Sequence, residues 1–79
     1  MFINKTKDGR NNLCGSNISV IRTEMGISQR ALADKLQLAG LDIDKNAIQR
    51  IEAGKRFVTD IELKVLSNVL GVSLEHLLK

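Results

Sequence analysis

Cys14 is the only cysteine of the sequence, so no intrachain disulfide can form and the composition suits a reducing compartment. His76 is the only histidine, and near the end of a C-terminal helix it reads as a polar surface residue, not a metal ligand. No apolar run approaches the ~20 residues that a membrane span requires, and no charged-then-apolar leader opens the chain. Spanning and secretion are therefore not expected, and the expected location is the cytoplasm. Missing too are a Ser/His/Asp set, a carboxylate pair beside a histidine and a glycine loop that would cradle phosphate, so neither catalysis nor a cofactor is expected. Asp42, Ile43, Asp44, Lys45 and Asn46 look like the start of a calcium loop. Its sixth position, however, is Ala47 where glycine is needed, and its twelfth is Ala53 where glutamate is needed, so no metal site is expected.

What is present is enough for one domain with one modest core: 79 residues, 43% hydrophobic and 27% charged, with no internal repeat or low-complexity stretch. The net charge of +3 fits a polyanionic partner without demanding one. Its distribution says more, because residues 1–15 carry +2 and residues 44–58 carry another +2 while the rest is close to neutral.

The chain is organised around residues 28–56, where two amphipathic runs are joined by a glycine-containing break. Ser28 is a good N-cap, and Leu32, Ala33 and Leu36 fall on one face of the run that follows. Asp44 caps the next run, which turns Ile48 and Ile51 inward and Lys45, Asn46, Gln49 and Arg50 outward until Gly54 ends it. Those four outward side chains can donate, or donate and accept, at base edges in a major groove. A solvated helix face is the bland alternative. Lys55 and Arg56 follow at once, however, and phosphate contacts need that positive charge.

Elsewhere the local signals are caps and glycines. Residues 1–15 hold Lys5, Lys7, Arg10, two glycines and Asn11-Asn12, a mixture expected to form a poorly ordered arm whose basic residues can reach a phosphate. Phe2 and Ile3 call for a packing partner. Ser16 or Asn17 is expected to cap a first helix to about Met25, with Ile18 and Ile21 inward and Gly26 at its end. Leu38, Leu41 and Ile43 make the connector after the second helix too apolar for a solvent loop, so it should pack. Thr59 or Asp60 begins a helix to Leu70 with Leu63, Leu66, Val69 and Leu70 as its apolar stripe. Gly71 breaks that helix and Ser73 caps a short last one. Val58, Leu74 and Leu78 are left over as a dimer patch.

Ile21, Arg22, Gly26, Ile27, Ser28, Gln29, Leu32, Ala33, Ile48, the run Arg50, Ile51, Glu52, Ala53, Gly54, Lys55, Arg56, and Leu70 to Ser73 together resemble the phage repressor and Cro-like helix-turn-helix family over residues 17–79. The resemblance implies an all-α, compact five-helix fold, with residues 16–79 as the DNA-binding domain after a 1–15 arm. The turn between the second and third helices is lengthened by about five residues in Gln37–Ala47 relative to that family. It implies a transcriptional regulator, a repressor by expectation, that puts residues 45–53 into the major groove of double-stranded DNA. Lys45, Asn46, Gln49 and Arg50 would then contact bases, and Gln29, Lys55 and Arg56 phosphates. Arg22 would form a structural ion pair with Glu52. Proteins of this design usually bind as two-fold pairs, so a homodimer that forms only on DNA is the expectation. The rival expectation is a protein-binding module or antitoxin-like partner that uses the C-terminal leucines.

Overall fold

The computed structural model describes residues 4–79, so Phe2 and Ile3 lie outside the described residues. Five helices follow one another among the described residues: α1 (Cys14–Glu24), α2 (Gln29–Leu38), α3 (Lys45–Glu52), α4 (Asp60–Leu70) and α5 (Leu74–Leu77). The fold is all-helical.

Four of the five starts are fixed by a single side chain. Ser28, Asp44, Thr59 and Ser73 each accept a hydrogen bond from the backbone N–H three residues on, which gives a partner to a donor that the helix leaves unpaired. Thr59 goes further, because the Glu62 carboxylate reaches back to its N–H and completes a capping box. At the other ends, the Lys55 N–H returns to the Arg50 carbonyl over Gly54, whose φ of 77° is the left-handed conformation that a helix end of this kind requires.

The first helix departs from expectation. It begins at Cys14, before both Ser16 and Asn17, and its N-cap residue Leu13 makes no side-chain bond. The orphan donor is instead satisfied by Asn12, whose Oδ1 accepts from the Gly15 N–H at 2.8 Å. Asn17, well inside the helix, donates through Nδ2 to the Leu77 carbonyl at 2.7 Å and ties α1 to α5. The start of α1 is set by tertiary contact, because Gly15 is buried against α3 and any Cβ there would run into the Ile51 carbonyl oxygen.

Inward faces of all five helices meet in one core. Ile18 and Ile21 of α1, Leu32 and Leu36 of α2, Ile48 and Ile51 of α3, Leu66 and Leu70 of α4 and Leu77 of α5 are all buried, as is Cys14. Ile43 joins them from the α2–α3 connector, and the Gln37 side chain donates to its carbonyl at 3.1 Å. Leu38 does not: it is 90% exposed, because the turn over Gly40 folds Leu41 and Ile43 back and leaves Leu38 on the outer side of α2. Val58 is half-buried against the core, so it is not spare either, whereas Leu74 and Leu78 are exposed.

Two neighbouring positions separate these accounts of α1. Gly15→Ala should destabilise the fold by roughly 1–3 kcal/mol through overpacking. Ser16→Ala, which removes a hydroxyl from an exposed helical site, should stay within ~0.5 kcal/mol of the native protein. Urea unfolding midpoints of the two variants read both outcomes, and a large loss for Ser16→Ala would restore it as the cap.

Candidate nucleic-acid interface

The α3 helix is two-faced because its apolar and polar residues alternate at helical spacing. Ile48 and Ile51 are buried, while Lys45, Asn46, Gln49 and Arg50 are all exposed and share the opposite side. Neither Lys45 nor Arg50 is held in an ion pair among the described residues, and the same is true of Lys55 just past the helix end. Two free cations and two amides therefore stand together on one face of α3, with the exposed Lys55 following just past its end.

The angle of that surface is set from behind by Glu52. Its carboxylate accepts from Arg22 Nε at 2.8 Å and from Arg22 Nη2 at 3.0 Å, a two-pronged geometry that fixes both groups. Arg22 Nη1 also donates to the Ile27 carbonyl at 3.0 Å, which joins the loop before α2 to the same point. The side chains of Arg22 and Glu52 are 16% and 8% exposed, so this pair is largely shielded from water. The carboxylate raises the already high pKa of the Arg22 guanidinium. Gln29 adds a third donor, Nε2 to Glu52 Oε1 at 3.0 Å, so its amide is engaged with the ion pair at the start of α2.

Arg56 has a different setting from Lys55. Its guanidinium forks onto Glu62 at 3.0 and 2.9 Å and also donates to the Phe57 carbonyl. That fork, helped by the Thr59 N–H, holds the Glu62 carboxyl below its ordinary pKa. An Arg56 fixed in this way braces the loop between α3 and α4, and a phosphate would have to share it with Glu62. Glu62 thus serves twice, in the cap of α4 and in the fork with Arg56, and no local sequence signal marks the second role. Reading residues 1–15 as loose also missed Arg10, Asn11 and Asn12, which all donate to carbonyls at the end of α3.

A helix-turn-helix family model matches residues 18–77. The chain belongs to the helix-turn-helix family. Three solved structures are similar to this helix-turn-helix chain. The restriction-modification controller protein C.AhdI from Aeromonas hydrophila is 28% identical, with 80% of this chain and 84% of that chain covered and a TM-score of 0.68. The DNA-binding domain of BldD is 24% identical, with 94% and 100% covered and a TM-score of 0.74. The hypothetical transcription factor NHTF from Neisseria is 19% identical, with 99% and 90% covered and a TM-score of 0.74. The last two show the shared fold alone. No protein of curated function matches the chain. Helix-turn-helix regulators of this type bind double-stranded DNA and are generally non-enzymatic. No helix among the described residues is long and apolar enough to cross a membrane.

The two ion pairs give separate expectations. In a double-mutant cycle, Arg22→Met and Glu52→Leu should each cost about 2–3 kcal/mol, less than the ~3–5 of a fully buried pair, and the double variant should cost far less than their sum. Additive losses in chemical denaturation would mean that the two groups are not coupled. For Glu62, a lowered folded-state pKa stabilises the fold in full above the ordinary glutamate value of ~4.3, and that contribution disappears as pH falls through the lowered value. Glu62→Gln should therefore lower the melting temperature at neutral pH and converge with the native protein under acid.

Proposed function

We propose that this chain is a cytoplasmic, sequence-specific regulator of transcription that inserts residues 45–53 into the major groove and acts as a repressor by occupying its site. The observation that carries the reading is the outer face of α3, where Lys45, Asn46, Gln49 and Arg50 are exposed together on a helix whose other side is anchored in the core. Asparagine, glutamine and arginine match the two-point donor and acceptor patterns of adenine and guanine edges in that groove. Lys55, exposed and unpaired beside them, supplies charge for a phosphate. Gln29, at the first position of α2, is assigned a phosphate through the helix N-terminus and the amide hydrogen not given to Glu52, while Arg56 would reach a phosphate only by sharing its fork with Glu62.

One helix in one groove reads too few base pairs to be selective in a genome, so two copies are expected on a two-fold site with half-sites ~34 Å apart. Leu74 and Leu78, exposed side by side at the α5 end, are among the exposed apolar residues and are the ones assigned to their contact. The patch is small, which favours pairing on DNA over a dimer in free solution.

Selection of bound duplexes from random-sequence DNA, followed by titration at several salt concentrations, tests the reading. Arg50→Ala should cost ~1–3 kcal/mol on the selected site and relax the preference at one base pair, whereas Lys55→Ala should weaken all duplexes alike and lower the salt slope by about one. Equal loss on selected and random DNA removes Arg50 from base reading. Binding that fails to weaken with salt, or no duplex recovered, would favour a protein-binding module instead.

A further inference from the structure

Residues 6–12 are tied to the end of α3 by donors alone. The segment first closes on itself: the Thr6 N–H donates to the Arg10 carbonyl, the Gly9 N–H to the Thr6 carbonyl and the Arg10 N–H to Thr6 Oγ1, all at 2.9 Å. From this closed turn, Arg10 Nη2 donates to the Glu52 carbonyl at 2.6 Å and the Asn11 N–H to the Gly54 carbonyl at 2.8 Å. Asn11 Nδ2 donates to the Lys55 carbonyl at 3.0 Å. Asn12 Nδ2 reaches both the Ile51 carbonyl at 3.0 Å and the Arg56 carbonyl at 2.8 Å. Five carbonyls that follow one another around the helix end, all but that of Ala53 between Ile51 and Arg56, thus receive a donor from this segment.

The chemistry explains the match. A helix end exposes carbonyls without intrahelical partners, and it carries a partial negative charge that a guanidinium complements. The turn over Gly54 supplies donors only to the Arg50 and Ile51 carbonyls, from the N–H groups of Lys55 and Gly54. Arg10 lies flat against that turn, since a Cβ on Gly54 would stand 2.8 Å from its Cζ. Its guanidinium is half-buried and turned toward the Glu52 carbonyl. Lys55 is consequently held by the backbone on both sides, its N–H on Arg50 and its carbonyl on Asn11, while its side chain stays exposed.

We infer that residues Thr6 to Asn12 form a strap that fixes the backbone of residues 54–56 against α3, making Arg10 and Asn11 positioning residues for the phosphate contact of Lys55. The inference rests on the DNA-binding reading above. A lysine whose root is already fixed loses less freedom on contact, so the strap contributes to affinity without touching the nucleic acid.

The test is a set of equilibrium titrations of the full chain with a duplex selected from random-sequence DNA, at a temperature where thermal unfolding shows every variant folded. Asn11→Ala removes one side-chain bond at a half-buried site outside the apolar core; it and Arg10→Met should each weaken binding by about 3–10-fold and flatten the salt dependence. Lys55→Ala should weaken the native chain but add little in the Arg10→Met background, because both changes remove the same contact. A strap that serves stability alone would lower the unfolding temperature and leave affinity and salt slope untouched, which overturns the inference. Additive losses for Arg10→Met and Lys55→Ala overturn it too, and make Arg10 an independent contact. If the native chain binds and only the variants fail to respond, the strap role alone is lost. If the native chain recovers no duplex, the DNA reading and the strap role fall together.

Discussion

The last turn of α3 must satisfy a carboxylate and a run of backbone carbonyls while leaving its outer side chains free, and the rest of the molecule is arranged around that demand. Buried polar groups without partners cost far more than a formed hydrogen bond returns. The donors therefore come from everywhere else: Arg22 from α1, Gln29 from α2, and Arg10, Asn11 and Asn12 from the segment before α1. Gly15 lets α1 come close enough for this, since its missing side chain is where the Ile51 carbonyl sits. Lys45, Asn46, Gln49 and Arg50 are available to a ligand because the fold has already met the needs of Glu52 and the helix end.

Much of this was legible in the sequence, and the reason is locality. A cap is one side chain and one N–H three residues away, so Ser28, Asp44, Thr59 and Ser73 announce their helices without any knowledge of the fold. The inward residues of α2 and α3 are likewise readable from spacing, and Gly54 marks its helix end through the positive φ it alone adopts cheaply. The joining of Arg22 to Glu52 is not local, and it came into view through the family pattern rather than through periodicity.

What stayed hidden was decided at long range. Asn11 and Asn12 favour turns when taken alone, which suggests loose chain, yet the amides that make them poor helix formers are the donors that find Lys55, Ile51 and Arg56 about forty residues later. The same contact draws the start of α1 forward to Cys14, where no capping side chain marks it. Leu38 was grouped with Leu41 and Ile43 by composition, and only the direction of the turn over Gly40 separates them. Lys55 and Arg56 look equivalent side by side. Glu62 makes them different, leaving one free in water and the other locked in a fork.

The separation between the strap and its helix has a consequence during synthesis. Arg10 and the Glu52 carbonyl it binds are 42 positions apart, so at ~5–20 residues per second roughly 2–8 s pass on the ribosome between the making of the two partners. Over that interval α1 and α2 have no α3 to cover their apolar faces, and the arginine and asparagines made first wait in water for carbonyls not yet built. The bond from Asn17 to Leu77 spans 60 positions and waits longer still. The third helix of the nascent chain is thus completed backwards, its open end sealed by residues that were made before it existed.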